Sequence, residues 1–153
     1  MVEAGAPDPT NADDEPARTP AASLVPHPAM FVDSSAIVAL VDRDDASHAA
    51  AVAAYHELVA ADYKLFTTNY ALAEAFDLLQ AGLGADVARQ WLRDSLLAVY
   101  HADDQDLAKA RRMIARAGNR RLSLTDAIGL AVMERLGVTD AFAVDPDFLA
   151  ETS

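Results

Sequence analysis

Short apolar runs alternate along the chain with longer stretches whose apolar positions recur at helical spacing. The runs are Met30 to Val32, Lys64 to Thr68, Ala98 to His101 and Ala141 to Val144, where β-branched and aromatic side chains suit buried strands. An apolar helical pattern follows the first run and reaches Leu40. Ser47 to Asp62 carries Val52, Tyr55, Leu58 and Val59 at helical spacing, with Ser47 placed as its cap. Asn69 is placed to cap a third helix that runs through Leu79 and that Gly82 stops, and Ala85 to Leu97 forms a fourth around Trp91. A polar helix spans Asp103 to Ala117 with Gly118 as terminator, and another runs from Thr125 to Leu136 with Gly137 at its end. Strands alternating with helices predict an α/β fold, a three-layer α/β/α sandwich around a central parallel sheet, because right-handed crossovers leave few other arrangements.

Carboxylates fall where this arrangement gives them meaning. Asp33 and Asp145 follow the first and last apolar runs, so a parallel sheet brings both to its carboxyl edge, where ligands bind in open α/β sheets. Asp126 lies in the first turn of its helix and points between Leu130 and Met133, into an apolar sector where a lone carboxylate is costly. Glu74 stands at the boundary of its helix's apolar face. Each acid also has an ordinary reading. Asp33 caps the next helix, Ser123-Leu-Thr-Asp126 fits a capping box, Asp145-Pro146 is an N-cap followed by proline, and Glu74 is a solvated helix residue. What the separate readings leave unexplained is their conjunction, and the joint reading is a shared acidic pocket.

At 153 residues the chain is long enough for one domain. It has no cysteine, which removes disulfides and thiolate metal sites and suits a reducing compartment. No apolar run approaches the ~20 residues of a membrane span, and no signal peptide opens the chain, so a soluble cytoplasmic protein is expected. Residues 1–29 hold six of the seven prolines and five acids against one Arg, the composition of a disordered tail, leaving residues 30–153 as the domain. Met30 opens that domain and is an alternative start.

The net charge of −12 argues against nucleic-acid binding through a general basic surface, but not against a carboxylate site that holds a cation. What positive charge there is clusters. Lys109, Arg112 and Arg116 share a helix face and are followed by Arg120 and Arg121, just upstream of Asp126. This is either a stripe that guides RNA or a solvated helix pairing with Asp103 to Asp106. His48 and His56 are eight residues apart, too far for one metal, whereas His101 ends a strand. A phosphatase of the haloacid dehalogenase type needs a second Asp at position 35, which is Ser, and no glycine-rich phosphate loop follows a strand.

Four segments together resemble the PIN-domain ribonucleases, in particular the VapC-type toxins of bacterial toxin–antitoxin pairs. They are Phe31-Val-Asp-Ser-Ser35, Thr68-Asn-Tyr-Ala-Leu-Ala-Glu74, Ser123-Leu-Thr-Asp-Ala127 and Ala141-Phe-Ala-Val-Asp-Pro-Asp-Phe148, covering Met30 to Leu149. The resemblance implies hydrolysis of RNA phosphodiesters dependent on Mg²⁺ or Mn²⁺, with an antitoxin and a second copy of the chain as partners. It implies Asp33 and Asp126 as direct or water-mediated metal ligands, and Glu74 and Asp145 as further ligands or water-positioning groups. Ser35 and Asn69, inside the first and second segments, would support them. The chain departs from the pattern at Ala143, where many members carry Thr or Ser, and at Pro146-Asp147, where a basic pair is common. A nuclease of RNA maturation and a catalytically silent binding module are the competing readings.

Overall fold

A computed structural model of the chain describes residues 28–118 and 120–152. The tail expected over residues 1–29 lies outside them except at its end, where Ala29 already belongs to the first strand and Pro28 O accepts from Lys64 N at 2.8 Å. The elements are β1 (Ala29–Val32), α1 (Ser34–Val41), α2 (His48–Ala60), β2 (Lys64–Thr68), α3 (Asn69–Leu83), α4 (Ala85–Asp94), β3 (Ala98–Tyr100), α5 (Asp104–Arg116), α6 (Leu124–Leu136), β4 (Ala141–Phe142) and α7 (Pro146–Thr152). The four strands form one parallel sheet in the order β3-β2-β1-β4. No described helix is long and apolar enough to cross a membrane.

Strand periodicity divides the core between the two faces of this sheet. Phe31 and Phe66 face one side and pack with Ala110, Ile128, Val132 and Phe148. Val32, Phe142, Met30 and Leu65 face the other, against Ile37, Ala51, Leu79 and Trp91. The strand residues of both layers are those the apolar pattern marks, but on α2 the buried residue is Ala51, while Tyr55 and Val59 of the expected apolar face are exposed.

The other differences from expectation lie at element ends. β4 has two residues where four were expected, because Val144 N leaves the ladder and donates to Ser35 Oγ at 3.1 Å. Thr68, not Asn69, caps α3: its hydroxyl accepts from Ala71 N at 3.0 Å. Ser47 holds the N-cap position of α2, but its side chain makes no capping bond. Gly82 does not stop α3, which continues to the left-handed Gly84 at φ +95°, a conformation that favours glycine. α4 ends at Asp94, short of the expected Leu97.

α6 carries Asp126 and is fixed along its length. At one end Ser123 Oγ accepts from Asp126 N at 3.0 Å. At the other, Arg135 donates Nε and Nη2, each at 3.0 Å, to Asp106. Burial alone would raise the Asp106 carboxyl, but the Arg135 bonds and the Asp103 backbone N–H hold it below the usual carboxylate range. In the middle, Gly129 lets the helix approach β1: a Cβ there would lie 2.8 Å from Phe31 Cζ.

The Phe31 ring cannot easily yield, because the rings of Phe66 and Phe148 lie 5.9 and 5.8 Å from it. Gly129→Ala therefore sets an overpacking cost of roughly 1–3 kcal/mol against a helix-propensity gain of ~1 kcal/mol, for an expected net destabilisation of about 1 kcal/mol. Gly82→Ala, with nothing within 4 Å of the added methyl, should gain up to ~1 kcal/mol. Urea unfolding of the two variants checks the opposite signs. Equal gains would show that close approach at Gly129 does not constrain the fold.

Candidate active site

The carboxyl edge of β1 and β4 is closed by a network centred on one hydroxyl. Asp33 N extends the ladder by donating to Phe142 O at 2.9 Å, and Asp33 then caps α1, its Oδ2 accepting from Ser35 N at 3.1 Å. Ser35 Oγ donates to the same Oδ2 at 2.7 Å and accepts from Val144 N at 3.1 Å and Asp145 N at 3.2 Å. A hydroxyl has one proton and two lone pairs, so this one is saturated. Because both lone pairs are taken by N–H groups, its proton must go to Asp33, and Oδ2 cannot itself be protonated while the network stands. The other oxygen, Asp33 Oδ1, is buried and has no hydrogen-bond partner among the described residues. A buried carboxylate oxygen left unpaired is costly.

Asp126 faces this edge from α6 and is only 7% exposed. Its pKa is pushed up to about 7, first by burial and then by the charge of Asp33, against an opposing contribution from the Ser123 hydroxyl; Glu74 and Asp145 add to the rise. Asp33 is also raised, by burial first, with the Ser35 and Ser34 bonds opposing and Glu74 adding. Asp33, Glu74 and Asp145 thus all act on Asp126, and Glu74 acts on Asp33, so the fold brings the four acids singled out in the sequence near one another. The capping readings hold as well for two of them. Asp145 Oδ1 accepts from Asp147 N at 2.9 Å at the start of α7, so Asp33 and Asp145 both cap a helix and face the pocket.

Glu74 projects from α3 half-buried, and its Oε1 accepts from Ser34 Oγ at 2.6 Å. Ser34 was missed in the sequence, where only Ser35 drew attention. The signal was present: consecutive helix positions are turned by roughly 100°, so two adjacent hydroxyls cannot both serve Asp33. Asn69 does not reach the carboxylates. Its Oδ1 accepts from Ala102 N at 3.0 Å and ties the start of α3 to the segment after β3.

Tertiary ion pairs break up the expected basic stripe. Lys109 pairs with Glu134, and Arg120 donates to both oxygens of Glu151 at 2.9 and 3.2 Å. Arg112, Arg116 and Arg121 remain exposed. The alternative of pairing with Asp103 to Asp106 is not what forms either, since Arg135 occupies Asp106. Arg116 and Arg120 border a hollow of about 320 Å³ between α5, α6 and α7. A larger hollow of about 740 Å³, walled by Ile37, Tyr55, Trp91 and Phe142 among others, lies on the opposite face of the sheet, and none of the four carboxylates lines it.

The donor set suits a hard divalent cation such as Mg²⁺ or Mn²⁺. Unpaired Oδ1 of Asp33 and the raised carboxyl of Asp126 both mark a place short of positive charge. No three His or carboxylate groups among the described residues form a set that would hold an ion by themselves. A cation here would be shared by two carboxylates and completed by water, an open site and not a closed cage.

Residues 30–151 match the family described as PIN domain, and the chain belongs to that family. The four-stranded parallel sheet flanked by helices is the PIN fold. The solved structure of Mycobacterium tuberculosis VapC20, described as a Sarcin-Ricin loop cleaving toxin, is 31% identical and superposes with a TM-score of 0.70, covering 80% of this chain and 94% of that one. The curated 23S rRNA-specific endonuclease VapC20 from two strains of Mycobacterium tuberculosis is 32% identical over 124 residues, 79% of this chain and 92% of the relative. The family resemblance carried by the four sequence segments is thereby established.

A pH dependence follows from the raised carboxyls. A group whose pKa is higher folded than unfolded binds its proton more tightly in the native state, so native stability should fall as pH rises from about 4 to about 7 in the presence of a chelator. The depressed Asp106 acts below that window, where it adds stability with rising pH. Thermal melts across the window should show the parent losing stability and Asp126→Asn losing much less. Parallel curves for the two proteins would contradict the crowding of charge at Asp126.

Proposed function

We propose that this chain is a metal-dependent endoribonuclease, the toxin of a type II toxin–antitoxin pair. The observation that carries the reading is Asp33 Oδ1, a buried acceptor without a donor among the described residues, beside Asp126, on which Asp33, Glu74 and Asp145 all act. Asp33 and Asp126 would hold Mg²⁺ or Mn²⁺. When bound, the metal supplies Lewis acidity at the phosphate and a water of lowered pKa.

The chain's own residues supply orientation. Ser35 fixes Asp33 and, through Asp145 N, the start of α7. Glu74 and Asp145 present further acceptors to attacking water or to the cation's hydration shell. The exposed Arg112, Arg116 and Arg121 are the basic residues of the stripe that remain free to meet RNA phosphates. Substrate affinity should therefore depend on salt only weakly for a nucleic-acid enzyme.

The VapC20 relatives act on 23S rRNA at the sarcin–ricin loop, so a ribosomal RNA hairpin is the first substrate to offer this chain. A cognate antitoxin and a homodimer complete the proposal, with the cytoplasm, where ribosomes and transcripts reside, as its site of action.

Asp33→Asn and Asp126→Asn should abolish cleavage of such an RNA and weaken Mn²⁺ binding, while the metal-free proteins remain as stable as the parent or more so. In the parent, Mg²⁺ should raise the melting temperature and chelator should end cleavage. Cleavage assays beside melts with and without metal make the comparison. Variants that cut RNA as fast as the parent would remove these residues from the chemistry.

A further inference from the structure

Two adjacent hydroxyls open α1, and they serve different carboxylates. Ser35 holds Asp33, its neighbour two residues back. Ser34 is 3% exposed and directs its single proton to Glu74 Oε1 at 2.6 Å, forty residues away in the chain. A buried hydroxyl can satisfy itself on nearby backbone, as Thr67 does by donating to Val32 O at 2.8 Å. Ser34 instead makes a short bond to a carboxylate, the charge-assisted kind that is roughly twice as strong as a neutral one.

The bond opposes a specific tendency. Glu74 is half-buried on a side chain with three torsions, and the charges of Asp33 and Asp126 lie on its pocket side. Repulsion from both favours a rotamer turned toward water. No cationic side chain bonds to Glu74 among the described residues, so the Ser34 hydroxyl is what draws it inward. The packing of Ile37 of α1 with Ala75 and Leu79 of α3 in one apolar cluster fixes the distance between donor and acceptor.

We propose that Ser34 is a positioning residue that holds Glu74 inside the acidic pocket, and that it thereby supports the cation site of the nuclease described above, where Glu74 stands beside Asp33 and Asp126. The inference rests on that reading of the pocket. Ser34 touches neither metal nor substrate; everything it contributes passes through Glu74.

The test is a cycle of variants read by direct Mn²⁺ titration of the full chain, with free Mn²⁺ followed by its paramagnetic resonance signal. Supporting hydrogen bonds of this type are worth roughly 10–100-fold in metal affinity. Ser34→Ala should weaken Mn²⁺ binding by about tenfold or more on the same basis. Ser34→Cys, close in volume but a weak donor, should behave like Ser34→Ala, and Ser34→Thr should recover part of the loss. In a Glu74→Gln background, Ser34→Ala should cause less than about a twofold further change, because residues that act as one unit are not additive. Thermal melts confirm that the variants compared are folded. An unchanged affinity in Ser34→Ala, or an equal loss with and without Glu74, would overturn the proposal. Failure of the parent to cleave RNA, by contrast, would sink the nuclease reading while the Mn²⁺ cycle still decided the role of Ser34.

Discussion

The carboxyl edge of this sheet depends on the three-way bonding of a single hydroxyl. Ser35 Oγ joins the end of β1, the residues leaving β4 and the carboxylate of Asp33. Its two accepting bonds shorten β4 and turn the chain so that Asp145 arrives beside Asp33. Its donated bond commits one Asp33 oxygen and leaves the other unpaired in the protein interior. Ala143 brings no hydroxyl of its own to this edge, which is supported without one. Ser35 supplies the contacts from the first turn of α1.

The molecule also shows what it does with a buried acid when no function is at stake. Asp106 is as deeply buried as Asp33, and it receives a two-pronged Arg135 together with a capping bond from Asp103 N. Its charge is neutralised and its pKa lowered. Asp33 and Asp126 receive only hydroxyl and backbone donors, and theirs are raised. The same chain thus solves the desolvation problem at one Asp and leaves it open at two others a short distance along the fold. Sites that keep such tension are where bound ligands gain most, because the ligand relieves it.

Much of this was legible beforehand, for reasons that also explain what was not. The alternation of strands and helices and the shared edge of Asp33 and Asp145 follow from periodicity and from the rule that parallel strands share an edge, whereas Asp126 was marked by the apolar face of its helix and Glu74 by the resemblance of its segment. Beyond the shifted helix ends, the missed features have partners distant in sequence. Asn69 looks like a cap until Ala102 N takes its carbonyl; Lys109 and Arg120 look like a free stripe until Glu134 and Glu151 reach them. Val144 continues an apolar run that reads as strand, and only the Ser35 hydroxyl, over a hundred residues earlier, ends it. Gly129 shows no turn signal because its purpose is to admit the Phe31 ring.

Asp33 and Asp145 each do two things, capping a helix and facing the pocket, whereas Glu74 and Asp126 cap none. The two pairs therefore answer to different pressures. A descendant of this protein that had given up its chemistry would still have structural cause to keep both capping aspartates. Their presence in a diverged copy says little about whether it still cuts anything. The informative positions would be the two acids with no architectural duty, since an idle enzyme has every reason to let a strained carboxylate drift to something neutral.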